Sequence, residues 1–259
     1  MSKVMKQFIC FLILITAVGF GPLVYMSWTM SLTFQNLLDK PLGVLLFALG
    51  CLAPTLSTVL IYVLNKEKRG MQGLWEDITA EKKKSPWVLA LYFLFLHYGA
   101  AFLTNLVSEL GPAINLIKNL PSMMLLFGCQ EIGWRLILAP AMEATRPLWK
   151  SCTAMGMIIS LWFLPLVMIP GFVVHPNYFL VFAFYLVGLN LLQSTLRHEG
   201  GSIMTSIVFT GLFFPLNTVF VLVQTTNLLT LLLLDVVLAF VFHSRLFKEN
   251  RKSDKQLNP

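Results

Sequence analysis

An all-α fold, a polytopic membrane helical bundle of about eight transmembrane helices with N- and C-termini cytoplasmic, is predicted by three observations. The 259-residue chain is 57% hydrophobic and only 12% charged, where soluble domains carry about 25% charged residues. Its mean hydropathy is +0.75, and apolar stretches of about 20 residues, enough to cross a hydrocarbon core of ~30 Å, recur along its whole length. Lysines and arginines gather in alternate connections between those stretches, as the positive-inside rule requires.

The first stretch, about residues 5 to 27, is too long for a signal-peptide core, lacks a small-residue cleavage site and follows Lys3 and Lys6, so it predicts a retained anchor. The second, about 42 to 64, contains Ala53-Pro54, and a basic connection, about 65–85, separates it from the third at about 86 to 107. The fourth, about 121 to 142, holds an acid and a base. The fifth and sixth fall at about 151 to 170 and 178 to 196, the seventh opens after Gly200-Gly201 at about 201 to 222, and the eighth spans about 227 to 245. With no internal repeat and no polar segment of domain size, residues 1–259 read as a single integral membrane domain.

The charge distribution tests this count. Of the 19 Lys and Arg, only Lys40 and Lys118 fall in the connections assigned to the outer side and only Arg135 falls inside a stretch. All the others are cytoplasmic by this topology. The net charge of +7 therefore reports topology and attraction to anionic lipid, and implies no nucleic-acid partner. Cys10, Cys51, Cys129 and Cys152 lie in or near the apolar stretches without metal-type spacing, and no disulfide framework is implied.

Glu131 and Arg135 lie one helical turn apart within the fourth stretch, Glu131 about ten residues and so ~15 Å deep. Intramembrane charges cost about 2.5–3.5 kcal/mol each on insertion scales and mark functional sites by default. At i and i+4 the two can pair on one face. An internal packing staple is the plain reading of such a pair, but Gln130, Gly133 and Trp134 beside it make a denser polar cluster than a staple needs. Counting inward brings His97, Trp162, Phe163, Thr210 and Asp235 to similar depth, where they could line one cavity. His97 reads first as a hydrogen-bonded packing residue. Asp235 could pair with Arg135 or face a polar crevice.

Glu131-Ile132-Gly133-Trp134-Arg135, then Leu161-Trp162-Phe163-Leu164-Pro165, then Gly200-Gly201-Ser202-Ile203 resemble the three motif regions of the CPBP family, the CAAX prenyl protease 2 and bacteriocin-processing (Abi) membrane proteins. The motif region covers about residues 121–222, and Ala53-Pro54 fits the same pattern. The resemblance implies an intramembrane endopeptidase fold in the plasma membrane of a bacterium. It implies Glu131 and Arg135 as retained catalytic-motif residues. At the other motif positions Gln130 replaces a glutamate, Phe163 a histidine and Thr210 a second histidine; the following asparagine position falls on Phe214, with Asn217 nearby.

Amide hydrolysis needs a base to activate water and donors for the oxyanion. Gln130 is not basic, Phe163 can neither accept a proton nor bind metal, and Thr210 offers one hydroxyl. Relatives are described as metalloproteases, yet no metal site and no cofactor is expected from Glu131, Asp235, His97 and Cys129. The expected role is therefore binding, immunity to a bacteriocin, or modulation of a related membrane protease, with a transmembrane or hydrophobic peptide as partner besides the lipid bilayer. Two alternatives stay open: an active endopeptidase using Glu131 as base with help from His97, and a small-molecule transporter with proline-broken helices.

Overall fold

Residues 2–65, 68–80, 83–172, 176–222 and 228–243 are described in a computed structural model. Helix α1, Lys3–Met30, starts where the Ser2 hydroxyl accepts the Met5 N–H at 3.2 Å and stops where Ser31 turns left-handed at φ 51°. A one-turn helix α2, Phe34–Leu38, leads to α3, Pro41–Cys51, and α4, Ala53–Leu64, which meet at 60°. Pro54 in the first turn of α4 explains the bend, because it has no N–H to continue the ladder of α3. Helix α5, Gly70–Thr79, is tied back to α4 by the Tyr62 hydroxyl, which donates to Asp77 Oδ2 at 2.5 Å. Helix α6 follows at Ser85–Leu103.

The fourth predicted stretch is helical but segmented. It runs through α7, Ile114–Met123, a wide π turn at Met124–Gly128, α8, Glu131–Gly133, a second π turn at Trp134–Leu138, and α9, Ala139–Glu143. Pro140 contributes to the second widening, since it cannot donate to the carbonyl of Leu136. Then come α10, Leu148–Val167, α11, Phe179–His198, α12, Ile203–Leu216, and α13, Leu228–His243. Each of the eight predicted stretches contains helix, but the third and seventh end in strand, and residues 227, 244 and 245 of the eighth lie outside the described residues.

Among the described residues, four helices are long and apolar enough to cross a membrane, Lys3–Met30, Ser85–Leu103, Leu148–Val167 and Pro176–His198, and the bent α3–α4 pair would make a fifth. Ile203–Leu216 and Leu229–Phe242 are apolar but shorter. These helices are consistent with a membrane protein. Among the described residues the fold is all-helical apart from one short ladder. Strands β1, Val107–Leu110, and β2, Phe220–Leu222, pair antiparallel with Val107 opposite Leu222 and Leu110 opposite Phe220. Both lie beyond helix ends, β1 after α6 and β2 after α12, where backbone groups without a helical partner find each other instead.

The connections meet in two sets. At one end the Phe34 N–H bonds Pro170 O at 2.8 Å, and β1 pairs with β2. At the other the Lys83 N–H bonds Gly200 O at 3.2 Å, Asn65 Nδ2 reaches Gln7 Oε1 at 3.4 Å, and Arg197 pairs with Glu143. Within the basic connection, residues 66, 67, 81 and 82 lie outside the described residues, as do the C-terminal cations from Arg245 onward and the C-terminus itself.

Close backbone approach sets the interior. A methyl group on Gly133 would stand 2.3 Å from the Pro54 carbonyl oxygen, so α8 and α4 touch main chain to main chain at that level. Thr55 Oγ1 donates to Cys129 O at 2.6 Å across the same contact. An aromatic seam closes the other side: Trp134, fully buried, meets Phe8 at 6.2 Å and Trp162 at 5.6 Å between ring centres. We expect Gly133→Ala to force these backbones apart and to cost about 1–3 kcal/mol; a thermal unfolding curve in detergent matching the wild type would contradict that close packing.

Candidate functional site

Glu131, 5% exposed, and Arg135, 2% exposed, form the ion pair their spacing predicts, Arg135 Nε donating to Glu131 Oε2 at 2.8 Å. The pair would be untenable in an apolar interior without further partners. These come from two other helices. Gln193 Nε2 on α11 donates to Glu131 Oε1 at 3.0 Å and also to Thr210 Oγ1, and Thr210 on α12 donates in turn to Glu131 Oε1 at 3.1 Å. Arg135 Nη1 reaches Ser194 Oγ at 3.4 Å. The carboxylate thus accepts three hydrogen bonds, leaving about one of its four lone-pair sites.

Gln130 does not touch that carboxylate; its Oε1 accepts from Trp134 Nε1 at 3.2 Å. A cavity of about 40 Å³ lies beside the pair, with Gln130, Glu131, Arg135, Asn190, Gln193 and Thr210 as its polar side. Phe163, Phe213 and Phe214 line the opposite wall. The Asn190 and Gln193 carbonyl oxygens are buried and have no hydrogen-bond partner among the described residues. Each amide is oriented by its nitrogen, which donates to Cys152 O at 2.6 Å in Asn190 and to Glu131 in Gln193. The site is therefore a neutral, hydrogen-bonded cluster with surplus acceptors and an aromatic wall.

Other expected members stand elsewhere. Trp162 turns from the cavity to α1, where its Nε1 donates to Thr16 Oγ1 at 2.9 Å and its ring packs 5.5 Å from Phe20. Asp235 does not pair with Arg135: its Oδ1 lies 2.9 Å from His97 Nδ1, and His97 Nε2 lies 2.8 Å from the Tyr185 hydroxyl. Both ring nitrogens of His97 are thus engaged by Asp235 and Tyr185, and neither bonds Glu131. Asn217 accepts from the Tyr98 hydroxyl at 2.9 Å and is not part of the cavity. Among the described residues no three of His, Cys, Asp and Glu cluster as metal ligands.

Sequence reasoning missed Asn190, Gln193, Ser194 and Tyr185. A signal was available for three of them. Asn190, Gln193, Ser194 and Arg197 recur at i, i+3, i+4 and i+7 of an apolar helix, a polar stripe on one face of α11. Arg197 extends the stripe beyond the apolar stretch, donating from Nη1 to Arg135 O at 3.4 Å and pairing with Glu143, which His198 Nε2 also approaches at 3.3 Å. Burial pushes the Glu143 carboxyl up, but the His198 hydrogen bond and the Arg197 charge outweigh it and hold the group below its ordinary value of 4.5.

No protein-family model matches this chain, and no curated protein does.

Two expectations follow. Glu131→Ala strands the Arg135 guanidinium and should cost about 3–5 kcal/mol, read as loss of folded protein in the membrane fraction. A Glu131→Leu/Arg135→Leu double variant should recover much of it, and normal abundance of Glu131→Ala would deny the pair its structural role. Because Glu143 titrates below its unfolded value, its contribution is fully present above pH 4.5 and fades as the pH falls through the folded value. Wild type and Glu143→Gln should differ by about 1 kcal/mol at neutral pH, a modest figure because the pair is partly hydrated, and converge in melting experiments as the pH falls through the folded value.

Proposed function

We propose that this chain is a bacterial plasma-membrane protein of about eight crossings with both termini cytoplasmic, resembling the CPBP intramembrane endopeptidases but acting by binding rather than hydrolysis. The Lys83 N–H bond to Gly200 O and the Arg197–Glu143 pair join connections that this topology puts on one side, and so support it. Of the roles the resemblance implies, the reading favours holding a hydrophobic or transmembrane peptide, whether in bacteriocin immunity or in modulating a related protease.

The observation that carries the non-hydrolytic reading is the occupation of Glu131. Glu131, the only acid lining the cavity among the described residues, accepts from Arg135, Gln193 and Thr210, while Gln130 and Phe163 beside it supply no base. A general base must lie within hydrogen-bond reach of the water it activates and have a site free to receive the proton. A cavity of about 40 Å³ has room for a few waters, at about 10–15 Å³ each by such a measure.

One feature favours a second reading, an endopeptidase using Glu131: two π turns flank the acid, and such turns occur frequently at functional sites. Purified protein in lipid nanodiscs, incubated with transmembrane and prenylated peptides, distinguishes the two by mass spectrometry. We expect intact peptides, together with capture of peptide by a photo-crosslinking residue at position 163. Cleavage that disappears in a folded Glu131→Gln variant would replace the first reading with the second.

A further inference from the structure

We propose that His97, Asp235 and Tyr185 form a second functional centre, a buried proton-binding site whose occupancy controls how tightly α13 is held against α6 and α11. The three residues come from three helices and make one line: Asp235 Oδ1, 2.9 Å, His97 Nδ1, then His97 Nε2, 2.8 Å, Tyr185 Oη. His97 is 1% exposed, Asp235 0% and Tyr185 6%. Asp235 Oδ2 is buried and has no partner among the described residues.

Counting protons along the line gives two states. With the carboxylate ionised and the imidazole neutral, Nδ1–H donates to Asp235 and the Tyr185 O–H donates to Nε2, so both links are made. One uncompensated negative charge is then left in an apolar surrounding. With one proton more, the imidazolium donates to Asp235 and to the Tyr185 oxygen, and the charges cancel. The Tyr185 hydrogen is then turned out of the line and loses its acceptor. One state carries an unbalanced buried charge and the other an unmade hydrogen bond, so neither is free of penalty and the centre exchanges one proton by reversing the His97–Tyr185 hydrogen bond.

The surroundings do not fix the choice. From α6 the neighbouring titratable group is Tyr98, whose hydroxyl is already spent on Phe213 O at 2.6 Å and on Asn217. From α11 it is Tyr185 itself and from α13 Asp235. From α12 the ring facing His97 is Phe213, 5.3 Å away between centres, which bears no charge. Among the described contacts no lysine or arginine neutralises Asp235. Apart from this carboxylate, the described side chains of α13 are apolar save Thr230, so the polar attachment of α13 runs through the line. Phe213 also lines the Glu131 cavity, which sets that cavity one ring away from the proposed centre.

The proposal does not rest on the peptide-binding reading. Hydrogen exchange of the α13 amides in the full chain, in nanodiscs, tests it across pH 5 to 9. We expect wild-type α13 protection to change at least tenfold across the range with a one-proton slope, and Asp235→Asn to abolish the dependence. Tyr185→Phe, which removes the oxygen that receives the Nε2 proton, should move the midpoint by at least half a pH unit while leaving the slope; it also carries the test if Asp235→Asn does not fold. Nitrogen-15 spectra of the His97 ring, assigned by loss in His97→Gln, should switch from one protonated nitrogen to two at the same midpoint. Protection of wild-type α13 independent of pH, an unmoved midpoint in Tyr185→Phe, or a His97 ring that never changes protonation would each overturn the proposal.

Discussion

The ion pair between Glu131 and Arg135 dictates the arrangement of the helices around it. Removing two opposite charges from water costs several kcal/mol per ion, and their attraction offsets this only when the remaining lone pairs and protons are also matched. A single helix cannot supply those partners. Gln193 and Ser194 must face Glu131 and Arg135 from α11, and Thr210 must face them from α12. The rotation of α11 and α12 about their axes is thereby fixed. Apolar packing alone would leave that rotation less determined, because these helices are apolar on several sides.

Helix α11 carries this requirement for both buried centres. Its stripe from Asn190 to Arg197 serves Glu131, Arg135 and Glu143, while Tyr185, further along the helix, reaches His97. The two polar clusters are separated by Phe213, which packs 5.3 Å from His97 and 6.1 Å from Tyr185 while lining the cavity. An aromatic ring between two buried polar networks keeps each in its own hydrogen-bond register. Small displacements of α11 are nonetheless felt by both, since packed interiors deform little.

The helical stretches were legible because hydropathy at this length overrides local propensity: about 20 apolar residues have few other uses. The bend at Leu52 was marked by Ala53-Pro54. The π turns around Glu131 and the pairing of Val107–Leu110 with Phe220–Leu222 had no comparable signal, one arising from local backbone widening and the other from two connections distant in sequence. Glu131 and Arg135 were legible from their cost. Partners of Asp235 were not, because counting depth along a helix says nothing of its rotation. Trp162 and Phe163 show the same limit: adjacent positions sit about 100° apart on a helix of 3.6 residues per turn, so one faces α1 and the other the cavity.

A carboxylate in an apolar interior either has its lone pairs matched by donors or keeps one open at a cost. A water-activating base needs an open lone pair, and an open lone pair in an apolar interior carries a penalty of its own. Thr210 and Gln193 remove that penalty at Glu131 by filling its acceptor sites, and Phe163 closes one wall with a ring that exchanges no protons. These hydrogen bonds make Glu131 a better anchor for α8, α11 and α12. The unpartnered carbonyl oxygens of Asn190 and Gln193 are the exception. Positioned beside the cavity and held by their own amide nitrogens, they are acceptors waiting for a donor, which is what a pocket that binds a hydrogen-bonding ligand needs and what a purely structural staple does not.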